Sequence, residues 1–130
     1  MKSWNVEELK IHNNVDTVDA IVQVEEDSID YLRSLQPQGQ ILVDSDKRTF
    51  VYILEDEESF VHLRFSSEIW NELAEVRKKE LSVQAVFLYQ SDNVVVPLDN
   101  FLVELNFILD NIRGNSNYGD EMLDAVESYF

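Results

Sequence analysis

Polar and apolar residues alternate through the first part of the chain. Val6, Leu9 and Ile11 predict a short, frayed strand, and Val18, Ala20, Val22 and Val24, interleaved with Asp19 and Gln23, predict a half-buried one. Asp27 or Ser28 then offers a cap for a short helix with Ile29, Leu32 and Leu35 on one side, which Pro37 to Gly39 should end. Three β-rich runs follow at 39–46, 49–54 and 60–65. Short polar breaks separate them, so they read as an antiparallel meander. Residues 50–54 are apolar on both parities, which places that strand centrally, buried on two faces. In the third run Val61, Leu63 and Phe65 form the inward set, leaving His62 and Arg64 on the opposite face.

The pattern then turns helical. Ser66 or Ser67 is placed to cap a helix over 67–80 with Ile69, Trp70, Leu73 and Val76 as its apolar stripe. Glu68 in its first turn and Arg77, Lys78 and Lys79 in its last complement the helix dipole. Strands resume at 83–89 and 93–96. From Pro97 onward Leu98, Phe101, Leu102, Leu105, Ile108, Leu109 and Ile112 recur at helical spacing, predicting a long helix over 98–113. Gly114 sits where a helix end favours a left-handed residue. Asn117 can cap a last helix over 118–130, with Asp120 and Glu121 in its first turn and Met122, Ala125, Val126 and Tyr129 on its buried side.

Together these elements predict a single α+β domain over residues 1–130. Its sheet would be mainly antiparallel, five- or six-stranded, centred on the 39–65 meander and covered on one face by the C-terminal helices. The expected core includes Val43, Val51, Ile53, Leu63, Trp70, Leu73, Phe101, Leu105, Ile108, Leu109 and Val126.

Composition narrows the class. A 130-residue chain with 45% hydrophobic residues can bury a real core. No apolar run approaches the roughly 18 residues that cross a bilayer, and the first residues lack the apolar stretch of a signal peptide; the expected location is the cytoplasm. Cysteine is absent, which excludes disulfides, thiol catalysis and zinc–thiolate sites. The net charge of −16 is spread along the chain and not gathered in a tail. A field of that sign repels nucleic acid and anionic lipid and attracts basic partners. It suits a solubilising surface, or an acidic mimic that sequesters a basic, nucleic-acid-binding protein.

Candidate chemistry is sparse. Asp44, Asp46 and Glu55 fall at the first, third and twelfth places of an EF-hand loop. Arg48 then stands where an oxygen ligand belongs, and Thr49 where the sharp turn requires glycine. A hairpin whose aspartates bond the turn backbone explains the same residues. Glu55 to Glu58 are four consecutive carboxylates that would suit a magnesium ion or a solvated turn. A carboxylate metal-dependent hydrolase built on Asp44, Asp46, Glu55 or Asp56 is therefore a minor alternative. His12 and His62, the two histidines, have no nucleophile elbow or glycine-rich oxyanion loop near them in sequence. Three glycines build neither a Walker loop nor a Rossmann fingerprint. No catalytic residue, metal ligand or cofactor is assigned, and the reading leans away from an enzyme.

The hexapeptide GNSNYG over 114–119 holds two of the three glycines between two predicted helices. It is either a helix-hairpin turn or a recognition loop, with Asn115, Asn117 and Tyr118 as the partner-binding residues. Residue types do not separate the two. Partner and oligomeric state, monomer or homodimer, stay open.

GQILVDSD over 39–46, FVY over 50–52, Trp70, and ILDNIRGNSNYG over 108–119 resemble a small family of uncharacterised proteins from Gram-positive bacilli and staphylococci. The resemblance runs from about residue 39 to the C-terminus and is looser before it. It implies a cytosolic bacterial protein and brings no catalytic residues. The function expected is a non-enzymatic protein-interaction or regulatory module.

Overall fold

The computed structural model describes residues 2–12, 15–25, 28–114 and 117–130. The amino-terminal run forms β1 (Lys2–Asn5) and β2 (Glu8–Ile11), followed by β3 (Thr17–Gln23) and α1 (Ile29–Ser34). The meander is β4 (Gln36–Asp44), β5 (Thr49–Glu55) and β6 (Phe60–Ser66). A 3-10 turn (Ser67–Ile69) leads into α2 (Trp70–Lys78), then β7 (Ser82–Tyr89), β8 (Asp92–Pro97), α3 (Phe101–Gly114) and α4 (Asp120–Tyr129).

The protein is α+β, but its strands do not form one sheet. Among the described residues they make two four-stranded sheets, sheet A in the order β1-β6-β5-β4 and sheet B in the order β2-β3-β7-β8. Each is mixed: β1 runs parallel to β6 and β3 parallel to β7, while the other pairs are antiparallel. The divide falls inside the amino-terminal run. The Val6 amide donates to the Arg64 carbonyl of sheet A, and the next amide, Glu7, donates to the Ile21 carbonyl of sheet B. A single five- or six-stranded sheet is thus replaced by two sheets, which the amino-terminal run joins by placing β1 in one and β2 in the other. The meander itself stands as expected, with β5 between β4 and β6.

Alternation along the strands sorts their faces. Phe50, Tyr52 and Leu54 of β5, Val61, Leu63 and Phe65 of β6, and Val18, Ala20 and Val22 of β3 enter one cluster of buried side chains shared by both sheets. Trp4 of sheet A meets Phe87 of sheet B edge-on with ring centroids 5.4 Å apart. Trp70, at the start of α2, closes one end. It stacks on Phe50 at 4.7 Å, donates its Nε1–H to the Phe65 carbonyl at 2.9 Å, and receives Tyr129 and Phe130 from the C-terminus at 5.8 and 5.6 Å. Buried aromatics in such offset and edge-on contacts gain about 0.5–1.5 kcal/mol beyond area burial.

Two expected core residues lie elsewhere, and a third only borders the shared cluster. Val51 and Ile53 are buried but belong to the outer face of sheet A, because the inward parity of β5 is even; Val43 is half-buried. The remaining expected core residues are buried in the shared cluster.

Several local expectations are corrected. Pro37 lies within β4, whose pairing begins at Gln36, and does not end α1, which stops at Ser34. Ser28 does cap α1, its Oγ accepting from the Tyr31 amide at 3.1 Å, while the alternative cap Asp27 lies outside the described residues. Neither Ser66 nor Ser67 caps α2 with its side chain, since the chain enters through the 3-10 turn. Pro97 is the last residue of the edge strand β8, where its missing N–H is tolerated. The turn before α3 needs Asn100 at φ 63°, so that helix starts at Phe101. Gly114 lies within α3 and is not left-handed. It is Gly119, at φ 89°, that precedes α4 and takes the capping place expected for Asn117.

Candidate functional site

The outer face of sheet A is built by cross-strand register. Asn5, Arg64, Val51 and Leu42 form one row across β1, β6, β5 and β4; Ser3, His62 and Ile53 form the next. Phe60 and Glu55 pair beyond them. The Arg64 side chain reaches over the intervening β5 and donates from Nη2 to Asp44 Oδ2 on β4 at 2.6 Å. Val51 stands between these partners in the register and is only 4% exposed, as is Ile53. At the two ends of this stripe the cover fails: Leu42 is 44% and Phe60 50% exposed.

Two concavities adjoin on this face and share Arg64. One, of about 440 Å³, is lined only by β4, β5, β6 and the turn between β4 and β5, including Leu42, Asp44, Val51 and His62. The other, of about 840 Å³, is largely polar, with Ser3, Asn5, Lys47, Arg64 and Ser66 among its walls. No helix residue lines the first. A mixed floor of aliphatic side chains with a few convergent polar groups is the usual make-up of a binding surface.

Electrostatics hold the face in one arrangement. The hydrogen bond from Arg64, the amide of Lys47 at 3.4 Å and the charges of both side chains keep the Asp44 carboxyl below its ordinary range, against an opposing burial effect. Asp44 therefore serves as a turn former and as the anchor of Arg64. Asp56 is likewise spoken for. Its Oδ1 accepts from the Glu58 and Ser59 amides at 2.8 and 2.7 Å, and its Oδ2 from the Tyr31 hydroxyl at 2.6 Å. The Tyr31 bond is the leading cause of its lowered pKa. Among the described residues no three of His, Cys, Asp and Glu gather as a metal-binding set.

The histidines lie on different sheets. His62 is on β6, and His12 follows β2, where its Nε2 is 2.8 Å from Asp19 Oδ2. Gln84 of β7 donates to the other Asp19 oxygen at 2.7 Å, so the carboxylate laces the strands of sheet B together. Burial opposes ionisation of Asp19, but the bonds from Gln84 and His12 outweigh it and hold its pKa low. Among the described residues neither histidine is bonded to a hydroxyl that it would activate.

Of the residues expected at the junction after α3, Asn115 lies outside the described residues, Asn117 is exposed in a turn, and Tyr118 is half-buried and packed against the core. Asn117 and Tyr118 do not line the concavities of the sheet A face. The outward parity of His62 and Arg64 was readable from alternation. The partnership of Arg64 with Asp44 was not, because it requires the order of three strands.

An α+β protein with two mixed sheets and, among the described residues, a sheet-face concavity that no helix lines is the class these features define. Within it, the chain belongs to UPF0738, a family of unknown function, whose pattern matches residues 4–130. The match includes nearly all of the amino-terminal run, where the resemblance was looser. A UPF0738 protein of Halalkalibacterium halodurans is 39% identical over 130 residues, covering all of this chain and 98% of that relative. Another from Staphylococcus saprophyticus is 42% identical over 114 residues, covering 84% and 91%, and one from Shouchella clausii is 35% identical with both chains fully covered. Their names assign no activity. No solved structure matches this chain. No helix among the described residues is long and apolar enough to cross a membrane.

Proposed function

We propose that this protein is a non-enzymatic interaction module of the bacterial cytosol whose protein partner docks on the outer face of sheet A. The observation that carries the reading is the pair Leu42 and Phe60, exposed at the ends of a stripe whose central residues Val51 and Ile53 are buried and beside which Arg64 is held by Asp44. Arginine is enriched among the residues that dominate binding energy at protein interfaces, and aromatic residues including Phe are enriched at interfaces generally. The turn at Asn117 and Tyr118 ranks below this face because Tyr118 is half-buried against the core. The test is capture from a bacillus lysate by tagged wild type, by the double variant Leu42→Ser/Phe60→Ser, and by Tyr118→Ala. Loss of a high-salt-stable partner in the double variant alone supports the sheet face. Retention by the double variant with loss in Tyr118→Ala returns the site to the junction.

The acidic-mimic reading keeps one supporting observation. α4 carries Asp120, Glu121, Asp124 and Glu127, all exposed, and no base. It requires a basic partner that high salt releases.

A further inference from the structure

Strands β1 and β6 run parallel, and their carboxyl ends come side by side with Asn5 opposite Arg64. Beyond that pair they part. The Val6 amide still bonds the Arg64 carbonyl, but the next amide, Glu7, bonds Ile21 of sheet B. β6 continues to Ser66, which pairs with Thr49 of β5, and then enters the 3-10 turn before α2. Two neighbouring chains that diverge from a common end cannot fill the space between them with backbone. Ligand crevices of open parallel sheets lie outside the carboxyl ends of diverging strands for the same reason. The cleft of about 840 Å³ opens here, between Asn5 to Glu7 on one side and Arg64 to Ile69 on the other.

Small-molecule sites occupy about 300–1,000 Å³, so the cleft has the size of one. Val6 and Ile69 line it and belong to the shared core, while Ser3, Asn5 and Ser66 add neutral hydrogen-bonding groups. Among the described residues no aromatic ring lines it, so a nucleobase would find no stacking partner. Its charges are of both signs and of separate origin. The bases come from sheet A, Arg64 from β6 and Lys47 from the turn into β5. The acids come from the segments that leave it, Glu7 after β1 and Glu68 after β6. Arg64 uses an Nη2 bond on Asp44, which is not a wall of the cleft, and keeps further N–H donors. The ion pairs of the described residues include neither Lys47, Glu7 nor Glu68. A simple anion entering here meets two carboxylates, and a simple cation meets two bases. A molecule that bears both charges meets a partner for each.

We propose that this cleft binds a small zwitterion, a polar α-amino acid. Its carboxylate takes Lys47 and the remaining Arg64 donors, its ammonium takes Glu7 and Glu68, and its side chain bonds Ser3, Asn5 or Ser66. Charge-assisted hydrogen bonds are shorter and stronger than neutral ones, and bases and acids held on different segments fix which way round the ligand lies. The inference goes beyond the docking of a protein on sheet A, since it needs neither Leu42 nor Phe60.

The test is an NMR titration of the isotope-labelled full chain with L-serine, L-asparagine and L-glutamine in turn. Signals of residues 3–7, 47–49 and 64–69 are expected to shift with at least one of them. N-acetyl-L-glutamine lacks the ammonium and L-glutaminamide lacks the carboxylate, so each should bind roughly tenfold more weakly than L-glutamine, the loss of one charged contact. Lys47→Gln and Glu68→Gln should weaken binding by a similar factor. Both positions are exposed, so the variant spectra report retained folding. The double variant Leu42→Ser/Phe60→Ser should bind the amino acid as wild type does, which separates this site from the protein-docking reading. The proposal is overturned if none of the three amino acids shifts a signal at millimolar concentration, or if the shifts map elsewhere. It is equally overturned if either blocked analogue binds as well as L-glutamine, which would make the cleft a site for one charge alone, or if Lys47→Gln and Glu68→Gln keep the wild-type affinity.

Discussion

The two faces of sheet A are buried to nearly the same degree at their centres, by different means. On the inner face Phe50, Tyr52 and Leu54 are covered by other elements. Trp70 lies on Phe50, and Phe101 of α3 lies near Tyr52 and Phe65, at centroid distances of 5.9 and 5.0 Å. On the outer face Val51 and Ile53 are equally buried, and the Arg64–Asp44 ion pair spans the strand at Val51. Removing the inner cover means unfolding the protein. The outer face carries instead a partly exposed ion pair, Arg64 with Asp44. Similar burial thus goes with packing by other elements on one side and, on the proposed reading, with a releasable cover on the other.

The largest effect that tests this contrast belongs to Trp70. Trp70→Ala deletes the plate between sheet A and the C-terminal helix, and should cost about 3–5 kcal/mol in urea unfolding. A loss below about 1 kcal/mol would mean that α4 and Phe130 close over the gap, and that the inner cover is as adaptable as the outer one. The paired comparison is sharper still. Leu54→Ala should cost about 2–5 kcal/mol because its neighbours are fixed by several elements. Val51→Ala should cost roughly 1–2 kcal/mol, the transfer of its two lost methyl groups with little cavity penalty. Similar costs at both sites, after allowing for the smaller side chain, would erase the distinction.

How much of this was legible follows from the range of each signal. The alternation of Val61, Leu63 and Phe65 with His62 and Arg64 is local, so the faces of β6 were readable. So was the central place of β5, because its residues are apolar on both parities. The parity of β5 was not, since Val51 and Phe50 are equally apolar and only pairing to β6 decides which points inward. The split into two sheets rests on β1 beside β6 and β3 beside β7, contacts between strands more than fifty residues apart that leave no periodic trace. Pro97 misled because proline favours the first turn of a helix and an edge strand alike. The open face itself depends on Arg64 and Asp44 meeting across a third strand, so no spacing in the sequence announces it.

Tyr52 ties the inner face to the start of α3 and carries the next effect in size. Its hydroxyl donates to the Asp99 carbonyl at 2.7 Å and accepts from the Gly39 amide at 3.2 Å. Gly39 suits that approach: its φ is 65°, and an added Cβ would stand 3.4 Å from Asn100 Cβ. Tyr52→Phe should cost about 1–2 kcal/mol, the loss of buried hydrogen bonds. Burial, aided by the charges of Asp99 and Glu104 and opposed by the Gly39 bond, raises the Tyr52 pKa from 10.0 to about 12. The folded value exceeds the unfolded one, so this contribution is complete below pH 10 and is lost as pH rises towards 12. Wild type should therefore lose stability across that window faster than Tyr52→Phe. Parallel curves would show that another group governs alkaline unfolding.

The smallest effect tests the outer cover directly. Asp44 has a folded pKa below its ordinary value of 3.8, chiefly through the hydrogen bond from Arg64. Its stabilising contribution is present above that value and fades as pH falls through the depressed one. A partly exposed ion pair is worth less than about 1 kcal/mol, so Asp44→Asn should differ only slightly from wild type at neutral pH, and the two should converge in acid. Convergence would identify the seal over Val51 as electrostatic, and therefore as something a partner bearing its own carboxylate can open by taking Arg64 for itself. A gap that persists unchanged into acid would instead mean that Asp44 acts through the turn it shapes with Lys47. In that case the outer face would be as fixed as the inner one, and Leu42 and Phe60 would be left as its only adjustable contacts.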